Sequence, residues 1–237
     1  MLSTTCSECI RRCDDFCLSR VSIFKNLEGD QKVDVLKKID HRQYKKGDVI
    51  FNEGDNSKTL YFMSSGKIKL YKYTTDGKEQ IINVLSDGEF FGEFSILKNT
   101  NYRVNARAIT DCKICTLTSN EIRDIIAKKP EVSISIMESL AERLSEAESL
   151  ARSLATNDVE ARLAYLLTSL INKYGVDKKD GIEITLPINR EDMANYIGVT
   201  RETISRKLKK FEHEDIIKIV GNKKIIVLNR EFFYDYI

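Results

Sequence analysis

The chain has no hydrophobic run long enough to cross a membrane, and its start has no apolar core. A transmembrane helix needs about 18 apolar residues in succession, and no window of these 237 residues approaches that length. The opening MLSTTCSECIRRCDD has none of the apolar character of a signal peptide. These absences exclude a membrane-spanning protein. They predict a cytoplasmic protein that has no membrane partner.

Histidine is also scarce, and this bears on catalysis. Only His41 and His213 are present, and neither lies in a recognisable catalytic arrangement with a nucleophile. We therefore expect that the protein is not an enzyme. A net charge of only +2 says little about partners, but residues 200–212 hold five Lys or Arg against two Glu. This small basic patch is the local exception on a balanced chain.

Cysteine, in contrast, is concentrated at one end. Four of the six cysteines fall within twelve residues, at Cys6, Cys9, Cys13 and Cys17. Where thiols stay reduced, such a cluster is more typical of metal binding or thiol chemistry than of disulfides. Intervals of three, four and four would also place all four on one helix face, where buried cysteines pack as small hydrophobic side chains. An iron–sulfur cluster, a zinc or thiol-redox role, and plain packing are the three alternatives.

The rest of the chain shows a succession of distinct helical and β-rich sequence patterns. Residues 27–40 form an amphipathic pattern that predicts a short helix. Over 41–118, short β-rich segments alternate with glycine turns, which is typical of a sandwich or barrel. Residues 119–127 predict a helix, and a long helix follows Pro130 to about residue 155. The predicted domains are a cysteine-rich segment, a β-roll, a dimerisation helix and a C-terminal domain, at 1–24, 25–129, 130–156 and 157–237.

The long helix carries a sustained apolar seam. Its members repeat at intervals of three and four: Met137, Leu140, Leu144, Ala147, Ala151 and Leu154. A seam of this kind predicts pairing with a second copy of the same helix. The alternative is that the helix packs against its own β domain.

The last 80 residues predict a DNA-binding domain. An amphipathic helix closes at Gly175, two further helices are separated at Gly198, and a hairpin turns at Gly221. Asn189 and Thr200 occupy the positions of N-caps. Two helices in a tight turn followed by a hairpin indicate a winged helix-turn-helix. The predicted fold class is therefore α+β: an N-terminal β-roll of jelly-roll type, a long helix, and the winged helix.

The second helix of this pair has two chemically distinct faces. Ile204, Leu208 and Phe211 recur at the spacing of a buried face. The candidate DNA contacts are the capping Thr200 and the polar residues of the other face, Arg201, Glu202, Ser205, Arg206 and Lys209. Arg can bind guanine, Glu can accept from cytosine, and Ser suits either. Lys207, Lys209 and Lys210 suit phosphates. The alternative is a solvated face that binds nothing.

The stretch GVTRETISRKLKKFE resembles the recognition helix of the CRP/FNR family of bacterial transcription regulators. The resemblance extends over nearly the whole chain, because the order of β-roll, long helix and winged helix is the same. It implies a homodimer that binds a palindrome in double-stranded DNA and works with RNA polymerase. Glu202, Ser205 and Arg206 match the base-reading residues of the FNR branch, whose half-site is TTGAT-like. An arginine at position 201 resembles the cAMP-receptor branch instead, so the resemblance does not determine the outer bases of the half-site.

The resemblance also identifies an effector loop, from which this chain departs. Gly92, Glu93 and Arg103 match the residues that bind ribose and phosphate in the cyclic-nucleotide branch. The following Ser or Thr is replaced by Val104, and the Thr-Ser pair of the dimer helix falls on Ala147 and Glu148. A missing hydroxyl and an added carboxylate both weaken such a site, so cAMP is not expected. A structural ion pair and a different small ligand stay open for Glu93 and Arg103.

In the FNR branch, three N-terminal cysteines and one β-domain cysteine hold an oxygen-labile [4Fe–4S] cluster. Cys115 matches the β-domain position, and Cys112 has no counterpart. The N-terminal spacing departs from the family pattern, and any three of the four N-terminal cysteines could serve as ligands. Our preferred ligands are Cys6, Cys9 and Cys17, with Cys13 spare. The resemblance implies a sensor of oxygen, redox state or nitric oxide. Control by a small effector or by thiol redox is the alternative. An iron–sulfur redox carrier would leave the C-terminal helices without a role.

Overall fold

The structure is a computed structural model that describes residues 4–5, 21–28, 30–56, 58–93, 100–155 and 158–234. Cys6, Cys9, Cys13 and Cys17 lie outside the described residues. The chain forms two compact units, residues 1–77 with 82–142, and residues 78–81 with 143–237. The expected α+β class is confirmed: a β-rich first unit, a long helix, and a mixed second unit.

The first unit contains two antiparallel sheets. One sheet has the strand order β1-β2-β9-β4-β7, and the other has the order β3-β8-β5-β6. The strands are β1 Thr4–Thr5, β2 Asp40–Tyr44, β3 Val49–Phe51, β4 Thr59–Ser65, β5 Ile68–Tyr73, β6 Glu79–Leu85, β7 Phe90–Phe91, β8 Asn105–Ala108 and β9 Cys112–Thr118. Short strands separated by glycine turns were the sequence expectation for this region, and the sheets confirm it.

Two apolar cores lie on opposite faces of the first sheet. The inner core contains Tyr61, Met63 and Ile114 together with residues of the second sheet. The outer core contains Phe62 and Leu117 together with the helices of this unit. Neighbouring residues of β4 and β9 therefore alternate between the two cores, because successive side chains of a strand point to opposite faces.

Helices cover the outer core. They are a short 3-10 turn at Ser22–Phe24, α1 at Asp30–Leu36, α2 at Ser119–Lys128 and α3 at Glu131–Ala155. Helix α2 starts with a capping box in which Thr118 and Glu121 bond each other's backbone amides. The predicted helix over 27–40 is too long. Strand β2 pairs with β9 from Asp40 onward, so the chain must leave the helix before that residue.

The second unit is built around α4, Val159–Tyr174. Its other elements are β10 Gly175–Lys178, β11 Gly181–Thr185, α5 Arg190–Ile197, α6 Arg201–His213, β12 Ile217–Val220, β13 Lys224–Val227 and α7 Glu231–Tyr234. Its four strands are ordered β10-β11-β13-β12. The predicted hairpin at Gly221 is confirmed as β12–β13, whereas the β10–β11 hairpin was not predicted.

Candidate nucleic-acid interface and cysteine site

The turn between α5 and α6 forms through three local interactions. The Asn189 side chain accepts a hydrogen bond from the Asp192 amide at 2.9 Å and starts α5. Gly198 ends α5 with φ 72°, in the left-handed region that favours glycine. The Thr200 side chain accepts from the Thr203 amide at 3.3 Å and starts α6. Both predicted N-caps and the glycine turn are confirmed.

Helix α6 buries one face and exposes the other. Ile204, Leu208 and Phe211 have no exposed surface. The predicted DNA-contacting residues lie on the remaining surface: Arg201, Glu202, Arg206 and Lys209 are exposed, and Ser205 is half-buried. These residues follow the N-terminus of the helix, which is the end that helix-turn-helix proteins present to base edges. The geometry permits the predicted contacts, whose role in binding DNA stays a prediction.

Two lysines of α6 are held by α4. The Lys207 Nζ lies 2.6 Å from one carboxylate oxygen of Glu160, and the Lys210 Nζ lies 2.6 Å from the other. The hydrogen bonds from Lys207 and Lys210 hold the pKa of Glu160 below its ordinary value. The same contact raises the pKa of Lys210. Three lysines of α6 were predicted to contact phosphates. Two of them, Lys207 and Lys210, are paired with Glu160, whereas Lys209 does not take part in this contact.

Helix α4 also holds α5. The Arg162 guanidinium donates to the carbonyl of Ile197 at 3.0 Å, the last residue before the Gly198 turn. Glu160 and Arg162, two positions apart on α4, thus fix the two helices of the motif. Neither residue was predicted, because their partners lie 35 to 50 positions away in sequence. The local sequence offered one signal for Glu160, which is an acidic residue in the first turn of α4, two positions after the N-capping Asp158.

Cys115 forms the core of a second candidate site. Its side chain is 2% exposed, and its Sγ lies 3.4 Å from the Nδ1 of His41 on the neighbouring strand β2. Burial lowers the pKa of His41, against the opposing effect of Asp40. In the part of the chain that the structure describes, no group of three or more metal-ligating side chains occurs. Cys115 and His41 are therefore a pair that would need ligands from elsewhere.

The register of the sheet relates this pair to the cysteine-rich segment. Thr4 on β1 pairs with His41 on β2, and His41 pairs with Cys115 on β9. Neighbouring strands lie about 4.8 Å apart, so Thr4 is about 10 Å from Cys115 across the sheet. Cys6 follows β1 directly in the sequence. The start of the cysteine-rich segment therefore joins the same sheet as Cys115.

Cys112 belongs to the opposite face of β9. It packs in the inner core, whereas Cys115 packs in the outer core. The Cys112 Sγ lies 3.2 Å from the backbone carbonyls of Lys67 and Thr110 and donates to this pair. Burial raises its pKa, which disfavours the thiolate form that a metal requires. Cys112 is therefore a packing residue of the inner core.

The candidate effector residues are placed around the end of β7. Gly92 has φ 88°, and a side chain there would meet the carbonyl of Thr59 at 2.7 Å and the ring of Tyr61 at 3.2 Å. Glu93 is half-buried and Arg103 is exposed. Residues 94–99, between them, lie outside the described residues. Inside the roll the rings of Phe51 and Tyr102 stack at 3.7 Å, so aromatic packing fills the core beside Gly92.

The apolar seam of α3 is largely exposed in the single chain. Met137 and Leu144 are 59% and 62% exposed, and Ala147 and Ala151 are also exposed. Leu140 differs, because it is half-buried against the outer core. The side chain of Leu154 lies outside the described residues. Most of the predicted dimer interface is thus available to a second chain, and its use stays a prediction.

These features define a winged helix-turn-helix protein with an N-terminal β-roll domain. Residues 41–129 match the cyclic nucleotide-binding domain, and residues 161–235 match the Crp-like helix-turn-helix domain. A solved CooA mutant from Carboxydothermus hydrogenoformans has the same fold, with a TM-score of 0.75 at 20% identity over 89% of this chain and 91% of that one. No described helix is long and apolar enough to span a membrane.

Relatives over the whole chain identify the family. The chain is 30% identical to the probable transcriptional regulator flp of Lacticaseibacillus casei, over 93% of this chain and 97% of that protein. It is also 30% identical to the fumarate and nitrate reduction regulatory protein of Yersinia pestis, over 92% and 87%. This chain belongs to the CRP/FNR family of DNA-binding transcription regulators. The relatives are named as transcription regulators and not as enzymes, which confirms the prediction that this protein is not an enzyme.

The names of the relatives point to different regulatory roles. A regulator of Mycobacterium tuberculosis that is 28% identical, over 90% of this chain and 95% of that protein, is named as cAMP-activated. The Yersinia pestis protein is named for fumarate and nitrate reduction. Membership of the family therefore establishes DNA binding and transcription regulation, and leaves the signal to be proposed.

The Glu160 contact makes a prediction about stability. We expect Glu160→Gln to lower the free energy of unfolding of the second unit by about 1 kcal/mol at neutral pH, because it removes two charged hydrogen bonds. A carboxyl whose pKa is lowered in the folded protein contributes stability above its ordinary value of 4.5 and loses it as the pH falls further. The difference from the unsubstituted protein should therefore shrink below pH 4.5.

Circular dichroism during urea unfolding measures this difference, since the chain has no tryptophan. Glu214→Gln is the matched control, because Glu214 is exposed and its ion pair among the described residues is a long contact of 3.6 Å with Lys210. The control should change stability by less than about 0.5 kcal/mol. Equal effects of the two substitutions, or an effect of Glu160→Gln that persists unchanged at pH 3, would contradict the prediction.

Proposed function

We propose that this regulator acts as a homodimer that reads a palindromic TTGA-type operator with α6. We further propose that it senses oxygen, redox state or nitric oxide through an iron–sulfur cluster held by N-terminal cysteines and Cys115. The observation that carries the DNA-binding part is the orientation of α6. Its apolar face is fully buried, so its arginines and glutamate are presented together to solvent.

The exposed face of α6 has the chemistry to read bases. Arg206 can donate two hydrogen bonds to guanine, and Glu202 can accept one from cytosine. Lys209 supplies charge for phosphates, which positions the helix without selecting a sequence. Lys207 and Lys210 are bound to Glu160, so we assign them to holding the helix rather than to phosphates. Thr200 and Ser205, near the start of the helix, complete the proposed contact surface.

Arg206 and Lys209 should differ in what they contribute. We expect Arg206→Ala to weaken binding to a duplex with two TTGAT half-sites by about 1–3 kcal/mol per contact, and to reduce discrimination against a scrambled duplex. Lys209→Ala should weaken binding to both duplexes alike, and it should lower the slope of log Kd against log salt by about 1. Fluorescence anisotropy over a range of salt concentrations measures both quantities.

Lys128→Ala is the control, because it removes one positive charge from an exposed position at the end of α2. It should leave both the affinity and the salt slope unchanged. If Arg206→Ala kept full discrimination between the two duplexes, α6 would not be the reading helix.

The proposed dimer uses the exposed seam of α3. Ile134, Met137 and Leu144 are each more than half exposed in the single chain. They lie at intervals of three and seven along one helix, which is the spacing of a helix–helix interface. A second copy of α3 would cover this seam and bring two α6 helices to one palindrome, whose half-sites are about 34 Å apart. Covering the seam removes apolar surface from water, which favours association.

A charge in the seam should break the dimer. We expect Leu144→Glu to raise the dimer Kd about a hundredfold, because burying an unpaired carboxylate costs about 3 kcal/mol or more. The fold of the protomer should persist, since Leu144 is exposed there. Analytical ultracentrifugation gives the Kd, and Val176→Glu, at another exposed apolar position, should leave it unchanged. A Leu144→Glu protein with the dimer Kd of the unsubstituted chain would rule out this interface.

The proposed cluster fits the chemistry and connectivity of the first unit. Iron–sulfur clusters are held by cysteine thiolates, and Cys115 lies at the sheet that β1 joins to the cysteine-rich segment. Together Cys115 and three of the N-terminal cysteines would supply the four ligands. When bound, the cluster supplies sensitivity to oxygen and nitric oxide. The chain's own part is to tie its N-terminal segment to β9 while the cluster is present.

The two cysteines of β9 provide a matched test of this proposal. We expect protein purified without oxygen to contain about four iron and four sulfide per protomer, and Cys115→Ser to lose them. Cys112→Ser should retain them, because Cys112 packs in the inner core on the other face of the strand. Iron and sulfide analysis with visible absorbance measures the cluster. Metal-free protein that binds its operator normally, or a Cys112→Ser protein as depleted as Cys115→Ser, would contradict the assignment.

A further inference from the structure

We propose that His41 is a positioning residue for Cys115. It donates a hydrogen bond from Nδ1 to the Cys115 sulfur, and so orients and stabilises that thiolate as a ligand. This inference rests on the proposed function, since it concerns the same cluster. It adds a residue to which neither the family resemblance nor the sequence spacing assigns a role.

The geometry places the two groups in direct contact. His41 and Cys115 are opposite one another in the β2–β9 register, and their side chains lie on the same face of the sheet. The Nδ1 to Sγ distance of 3.4 Å is within hydrogen-bonding range for sulfur. Strand pairing on both sides, with Thr4 on β1 and Cys115 on β9, holds the backbone of His41 in place.

The second ring nitrogen indicates which way the hydrogen bond points. Nε2 of His41 is buried, and it has no hydrogen-bond partner among the described residues. A neutral imidazole carries one N–H and one acceptor nitrogen. A buried N–H without a partner is rarer than an under-used acceptor, so the proton belongs on Nδ1. The sulfur of Cys115 is then the acceptor, which is the role of a thiolate.

A donor at the sulfur has a defined effect on a cluster. Hydrogen bonds to the ligating sulfurs set the reduction potential of iron–sulfur clusters. Such a bond withdraws negative charge, so it favours the reduced state and raises the potential. Groups that orient a metal ligand also affect how firmly the metal is held, typically by 10- to 100-fold. His41 should therefore make the cluster both harder to oxidise and slower to lose.

Two substitutions separate the hydrogen bond from the bulk of the ring. His41→Leu removes the donor, whereas His41→Asn retains an N–H near the position of Nδ1. Both are compared with the unsubstituted protein after anaerobic purification. The measurements are the reduction potential by dye-mediated titration and the decay of visible absorbance in air. Circular dichroism of each metal-free protein shows whether the first unit is folded.

We expect His41→Leu to lower the potential and to shorten the lifetime of the absorbance about tenfold, and His41→Asn to restore most of both. Equal potentials in the three proteins would overturn the inference and leave the cluster intact. Loss of iron in both variants, with both folded, would also overturn it, because it would make His41 a ligand. Absence of iron and sulfide from the unsubstituted protein would instead overturn the proposed cluster itself.

Discussion

Burial of the apolar face of α6 is the constraint on which the DNA-binding unit depends. Ile204, Leu208 and Phe211 are withdrawn from water, and the charged residues on the opposite face of this amphipathic helix are exposed. The polar residues of α6 therefore face away from the core, where they form the proposed reading surface. Glu160 and Arg162 then fix the two helices of the motif through charged hydrogen bonds. Hydrophobic packing selects the face, and these polar contacts hold the helices that present it.

The first unit depends on the corresponding rule for strands. Successive side chains of β9 alternate between the two cores, so two cysteines three residues apart cannot serve one site. Cys112 becomes a packing residue, and Cys115 faces His41 and the helices. Pairing of β1 with β2 then brings the chain that precedes Cys6 into the same sheet. The proposed sensor is thus defined by strand register as much as by cysteine content.

Much of the fold could be predicted from short-range sequence patterns. The caps Asn189 and Thr200 and the turn at Gly198 act within a few residues of themselves, so local sequence is sufficient to predict them. The prediction for α1 was less accurate, because the pairing of β2 with β9 ends that helix before residue 40. The β10–β11 hairpin was missed, because β10 is exposed throughout and has no apolar alternation, although Ile182 and Ile184 of β11 are buried. The end of α1 was decided by a distant pairing partner, which hydrophobic periodicity does not report.

The amino-acid order was enough to establish a β-roll, a long helix and a winged helix, because hydrophobic period and capping are local properties. It was also enough to establish which face of α6 is polar. The partners of Glu160, the opposite orientations of Cys112 and Cys115, and the contact between His41 and Cys115 required the folded chain. These contacts join residues up to 74 positions apart, and only strand register and helix packing determine which side chains meet.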